Sequence, residues 1–82
     1  MKLYIWRHNR KHHSWSMLQE PCVHQAFYHD AIAMVLAESE EEALSLLAGE
    51  QAGWLVEELR RLKPRVIELN QSRVVYQEIR GD

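Results

Sequence analysis

His8, His12, His13, Cys22, His24, His29 and Asp30 hold all five histidines and the only cysteine of this 82-residue chain. Neutral imidazole and thiolate are the donors that hold zinc in tetrahedral geometry. His12, His13, Cys22 and His24 are the set that could converge on one ion. Cys22 and His24 would share a side if that segment were extended. Neither a CxxC pair nor an HExxH segment is present. The same residues also read as a solvated polar loop whose histidines titrate at roughly pH 6.5. The solvated loop is the expectation, and zinc binding is its alternative.

A second constellation overlaps the first. The stretch Trp6 to Trp15 interleaves Arg7, Arg10 and Lys11 with aromatic and imidazole rings. Basic groups beside stacking rings are what a surface that follows a nucleic-acid strand uses. Arg7, Arg10, Lys11 and Trp15 would carry such binding, and Arg60, Arg61, Lys63 and Arg65 could join them in space. The net charge of −2 opposes this reading, because dedicated nucleic-acid domains are usually basic. Trp6 packing in a sheet and Trp15 pinning a loop is the structural account of the same residues.

Nucleophilic catalysis has no support. Ser14, Ser16 and Cys22 lie near histidines in sequence, but sequence proximity is not the spatial arrangement of a triad. Gly49 and Gly53 do not make a phosphate-binding loop. The Glu38 to Glu42 region is explained by a helix start. The chain is therefore expected not to be an enzyme.

These groups must be positioned by ordinary elements. Lys2 to His8 reads as a strand, with Leu3 and Ile5 on one side and Tyr4 and Trp6 on the other. Asn9 to Gln25 reads as a long polar loop with a short helical turn at Ser16 to Glu20; a loop that long tends to be functional or mobile. Phe27 to Ala37 is the clearest strand. Ile32, Met34 and Leu36 share one face, and Ala31, Ala33, Val35 and Ala37 the other. The small side chains would let a helix approach closely.

Ser39-Glu40-Glu41-Glu42 is a capping box, with three glutamates at the positive end of the helix dipole. Ala43, Leu44, Leu47 and Ala48 continue as a helical stripe, and Gly49 is a plausible stop. A second helix is expected from Gln51 to Leu62, with Glu57 set to pair with Arg61 and Pro64 ending it. One bent helix over 40–62 is the rival. Arg65 to Leu69 and Arg73 to Arg80 read as strands joined by a turn at Asn70 to Ser72.

The predicted fold is a single α+β domain over residues 1–82. It has a four-stranded, mainly antiparallel sheet in the order β-β-α-α-β-β, with one or two helices on one face. Its expected strand core is Leu3, Ile5, Ile32, Met34, Leu36, Val66 and Val74. Leu44, Leu47, Leu55, Leu59 and Leu62 are the expected helical contribution.

Composition narrows the class. Hydrophobic residues make up 46% of the chain, so it is expected to fold, with a small core. One cysteine excludes an intrachain disulfide. The four-residue apolar stretch Leu3 to Trp6 is too short for a signal peptide or a membrane helix. The cytoplasm is the expected compartment. Charge is segregated along the chain: seven glutamates and no base from Glu38 to Glu58, then four bases and no acid from Arg60 to Arg65.

The opening MKLYIWR strand, followed by an apolar strand running into AESEEEAL, resembles small uncharacterised bacterial and phage proteins with a similar strand-to-helix junction. The resemblance covers about half the chain and implies no activity. It suggests a phage- or mobile-element-encoded inhibitor as one version of function. The expectation is a non-catalytic regulatory or inhibitor-type protein that binds another macromolecule, with self-association equally open. Trp15, Tyr28 and Trp54 are its candidate interface residues, since large amphipathic rings are enriched at interfaces.

Overall fold

The computed structural model describes residues 1–9, 21–79 and 81. Strand β1 spans Lys2–Asn9, β2 Asp30–Ala37 and β3 Arg65–Glu68. Helix α1 spans Glu40–Glu50, and α2 is a single turn, Val56–Leu59. β1 is central in the order β2-β1-β3. It pairs antiparallel with β2 along its whole length, from Lys2 opposite Ala37 to Asn9 opposite Asp30. Its first half pairs antiparallel with β3, placing Leu3 opposite Ile67 and Ile5 opposite Arg65.

Among the described residues the sheet therefore has three strands, not four. Residues 72–79 form no strand despite their alternating, β-branched sequence. β3 offers only four residues for pairing, and the following segment does not return along it. Val75 and Tyr76 instead line a cavity with Leu3 and Ile5 of the sheet.

The helical region is also shorter than expected. α1 runs through Gly49 to Glu50 and ends at Gln51, whose left-handed backbone (φ 55°) lets its N–H reach the Ala48 carbonyl. The chain from 52 to 55 is loop, so the second helix keeps only the turn before Arg60. The start of α1 is as the sequence reads, with one difference. Ser39 Oγ accepts from the Glu42 N–H at 3.2 Å, but the Glu42 carboxylate accepts from the Glu38 N–H, not that of Ser39.

The core lies between the helices and one face of the sheet. Tyr4 and Trp6 of β1, Ala33 and Ala37 of β2, Ala43, Leu44 and Leu47 of α1, Leu59 of α2 and Val23 form one buried cluster. Full burial of a side chain such as Leu44 or Leu59 contributes about 1.5–3 kcal/mol. The alanines of β2 have no side chain beyond Cβ, so α1 can lie close against them.

The expected strand core is on the wrong face. Ile32, Met34 and Leu36 are exposed at 46%, 58% and 55%; Val66 and Val74 are exposed as well, and Leu3 and Ile5 are half-buried. Of the expected helical leucines, Leu44, Leu47 and Leu59 are buried, whereas Leu55 and Leu62 are half-buried. Register puts Ile67, which is fully buried, on the same face as Leu3. No helix of the described residues is long and apolar enough to cross a membrane.

Candidate functional site

Two of the clustered histidines are built into the framework. His24 forms an isolated antiparallel bridge with Trp54. The Leu55 N–H donates to the Val23 carbonyl at 2.8 Å, and the Gln25 N–H to the Gly53 carbonyl at 2.9 Å. His24 Nδ1 accepts from the Ala26 N–H at 2.9 Å, which leaves Nε2 to carry the proton and donate to the Ala52 carbonyl at 2.7 Å. The ring also stands edge-on to Trp54, with centroids 5.0 Å apart. Both nitrogens are thus committed to backbone. Gly53 (φ +94°) makes this possible, because a Cβ there would lie 2.8 Å from the imidazole.

His8 is buried, and its Nδ1 lies 2.8 Å from the Tyr28 hydroxyl, which also accepts from the Val23 N–H at 3.0 Å. Cys22 Sγ–H donates to the His24 carbonyl at 3.4 Å. His29 is exposed beside Phe27.

Of the zinc set, Cys22 and His24 are therefore adjacent, but His24 would have to give up a backbone contact to ligate. His12 and His13 lie outside the described residues. No group of three or more ligating side chains occurs among the described residues.

Of the nucleic-acid set, Arg7 holds Asp30 through two hydrogen bonds, Nε to Oδ1 at 3.2 Å and Nη2 to Oδ2 at 2.9 Å. Arg10, Lys11 and Trp15 lie outside the described residues. Arg60 pairs with Glu41 and Glu57, and Arg61 with Glu58. Arg61 therefore takes Glu58, three residues before it, rather than Glu57. Lys63 and Arg65 have no carboxylate partner among the described residues.

Of the interface set, Trp54 and Tyr28 are half-buried and packed against the core cluster. Trp15 lies outside the described residues. The surface chemistry sits elsewhere, in residues that the sequence reading placed inside.

Two features stand out on that surface. The first is the outer edge of β2. No strand among the described residues pairs with it. From Ala31 to Ala37 it contains no charge and no proline. Next to it, Leu36 and the exposed Leu46 of α1 border a groove of about 460 Å³. Strand edges are normally blunted by lysine, proline or brevity. The β3 edge shows this protection, with four residues, a preceding Pro64 and charges at Arg65 and Glu68.

The second feature is a cavity of about 370 Å³ on the helix-free face of the sheet. Leu3, Ile5, Ile32 and Met34 line its sheet side, with Val75 and Tyr76 on another. Arg7, Lys63 and Arg65 complete the lining. Alternation along β2 was the available signal for both features, since it separates Ile32, Met34 and Leu36 from the alanine face. No family model, curated protein or solved structure matches this chain.

Proposed function

We propose that this chain is a non-catalytic interaction domain that receives an extended segment of a partner protein along the free edge of β2. The observation that carries the reading is the contrast between the two edges of one sheet: β3 is short and charged, whereas β2 offers seven consecutive uncharged residues, Ala31 to Ala37. An added strand would pair with the main-chain groups of that edge, which no strand among the described residues takes up, and alternate side chains would read the flanking surface. Leu36 and Leu46, exposed at 55% and 50%, stand where those side chains would land. The run of uncharged residues from Ala31 to Ala37 favours an apolar or β-branched segment, with Glu50 the one charged residue lining the groove beside it.

The test uses the full chain as bait in an extract of its own host, beside the double variant Leu36→Lys/Leu46→Glu. Both positions are exposed, so the variant is expected to fold, and circular dichroism checks this. The expected result is a captured protein that the double variant loses. A peptide from that protein should protect the amides of residues 31–37 from hydrogen exchange. Capture insensitive to the double variant, or protection confined to other elements, overturns the proposal. A concentration-dependent dimer that protects the same amides without a partner overturns the choice of occupant in favour of a second copy of the chain.

A further inference from the structure

We infer that the cavity on the helix-free face is a binding site for a small amphipathic anion, an aliphatic carboxylate being the simplest member of the class. This inference does not depend on partner binding at the β2 edge; the cavity and that edge share Ile32 and Met34 of β2.

The argument begins with the register of the sheet. Leu3 and Ile5 of β1 are flanked on the same face by Leu36 and Met34 of β2. Arg65 of β3 lies directly opposite Ile5. An apolar floor therefore passes within one cross-strand step into a cation. Val75 and Tyr76 enclose another side, and the resulting volume of about 370 Å³ falls within the roughly 300–1,000 Å³ usual for small-molecule sites.

The cations distinguish this cavity from a bare apolar patch. Arg7 is held by both oxygens of Asp30. Elsewhere on the chain Arg60 and Arg61 are paired with glutamates. Lys63 and Arg65 are the lining cations that have no carboxylate partner among the described residues, although the chain carries more acids than bases. A ligand that complements this surface has an uncharged aliphatic body and one anionic end. A carboxylate suits the planar fork of Arg65, while the Lys63 ammonium adds a second positive charge. A neutral apolar molecule would supply no charge to either cation, and a cationic amphiphile would be repelled by them.

The experiment titrates octanoate, octanol and octylammonium, each kept below its aggregation threshold, into the full-length protein and follows amide and methyl resonances. Octanoate should shift Leu3, Ile5, Met34 and Tyr76, whereas octylammonium should not. Lengthening the chain from hexanoate to octanoate should tighten binding by about fourfold per methylene, the factor expected for burying each group. Lys63→Glu/Arg65→Glu should weaken octanoate binding by about tenfold or more, as for a lost charge-assisted contact. Arg65→Lys in an otherwise unchanged chain should keep the preference for octanoate over octylammonium but bind octanoate more weakly than the native chain, since the charge remains and the planar fork is lost. Both cations are exposed, and an unchanged spectrum of the free variant confirms its fold. Equal binding of octanoate and octylammonium would overturn the inference, since adsorption to an apolar face would then suffice. So would undiminished octanoate binding by the double variant, shifts confined to other residues, or no shift at all.

Discussion

On one face of β2 stand Ala31, Ala33, Val35 and Ala37; on the other stand Ile32, Met34 and Leu36. The smaller set enters the core, and the larger set is 46–58% exposed. Transfer free energy alone would choose the opposite orientation, because each of the larger side chains gains more from leaving water. Geometry decides otherwise. The covered face must admit α1 close to the sheet, and Tyr4 and Trp6 of the neighbouring strand already fill much of the space. Interiors are packed to near-crystalline density, so fit to the available volume outranks the size of any single side chain. The face left outside keeps an apolar character unusual for a small chain, and contiguous exposed apolar surface commonly marks a place of contact.

The largest expected effect lies on the covered face. Trp6 is 1% exposed and is among the largest fully buried side chains. Trp6→Ala should cost about 3–5 kcal/mol, measured by urea unfolding, enough to unfold a marginal domain of this size. Its indole N–H has no acceptor among the described residues. Trp6→Phe should therefore recover much of the loss, because it sheds the unpartnered donor while keeping most of the ring. A Trp6→Ala variant as stable as the native chain would overturn the assignment of the core to this face.

The next effect tests the fit itself. Ala37 is fully buried between the sheet and α1. Ala37→Leu should destabilise by about 1–3 kcal/mol through overpacking, although it adds apolar surface. A stabilised variant would mean that the gap between α1 and β2 has room to spare, and the contrast between the faces would lose its explanation.

The junction at Gly53 gives a third test. Gly53→Ala forces a side chain into a positive-φ position, for which a cost of order 1–3 kcal/mol is expected. The new Cβ would also meet the His24 ring at 2.8 Å. Combining it with His24→Ala removes the clash, so the two changes should be non-additive by about 1 kcal/mol. Strict additivity in a double-mutant cycle would show that His24 does not hold this loop.

How much of this was legible in the sequence depends on the range of the interaction. The helix cap at Ser39 and the separation of residues on β1 and β2 are local, and both can be read directly from spacing. The face that becomes interior is a tertiary choice: alternation divides β2 into two sets but does not say which one a helix will cover. The fourth strand failed for a related reason. Arg73 to Ile79 has strand-like side chains, but a strand exists only where a partner backbone lies alongside. His24 was legible as a possible ligand because its residue type is visible. Its engagement by Ala52 and Trp54 depends on contacts 28 and 30 positions away, which no local pattern encodes.

A smaller effect is electrostatic. The Arg60 guanidinium, hydrogen-bonded to Glu41, holds that carboxyl below its ordinary value, and Glu41 and Glu57 raise Arg60 in turn. A carboxyl depressed in the folded state contributes stability above its unfolded value and loses it as pH falls through the folded one. Glu41→Gln should thus be slightly less stable than the native chain near neutral pH, and the difference should close on acidification. Both groups are solvent-exposed, so moderate salt should shrink the difference further. A gap that widens on acidification would reverse the assignment.

The smallest expected effect is the sharpest test of the comparison. Ile32 and Leu36 are as apolar as any residue of the covered core, yet each is about half exposed. Ile32→Ser and Leu36→Ser should each change stability by no more than about 0.5 kcal/mol, the range for surface substitutions that disturb no special feature. The measurement must be repeated over a wide range of protein concentration. If the open face is free in the isolated chain, the small effect will be independent of concentration, because folding of a monomer carries no mass-action term. If two chains cover it, the native protein will gain stability with concentration and the serine variants will gain less. A cost of 2 kcal/mol or more at every concentration, of order that for a buried leucine, would mean that the chain itself covers Ile32 and Leu36. The distinction between the two faces would then fail, and with it the reading of the outer face as an open apolar surface.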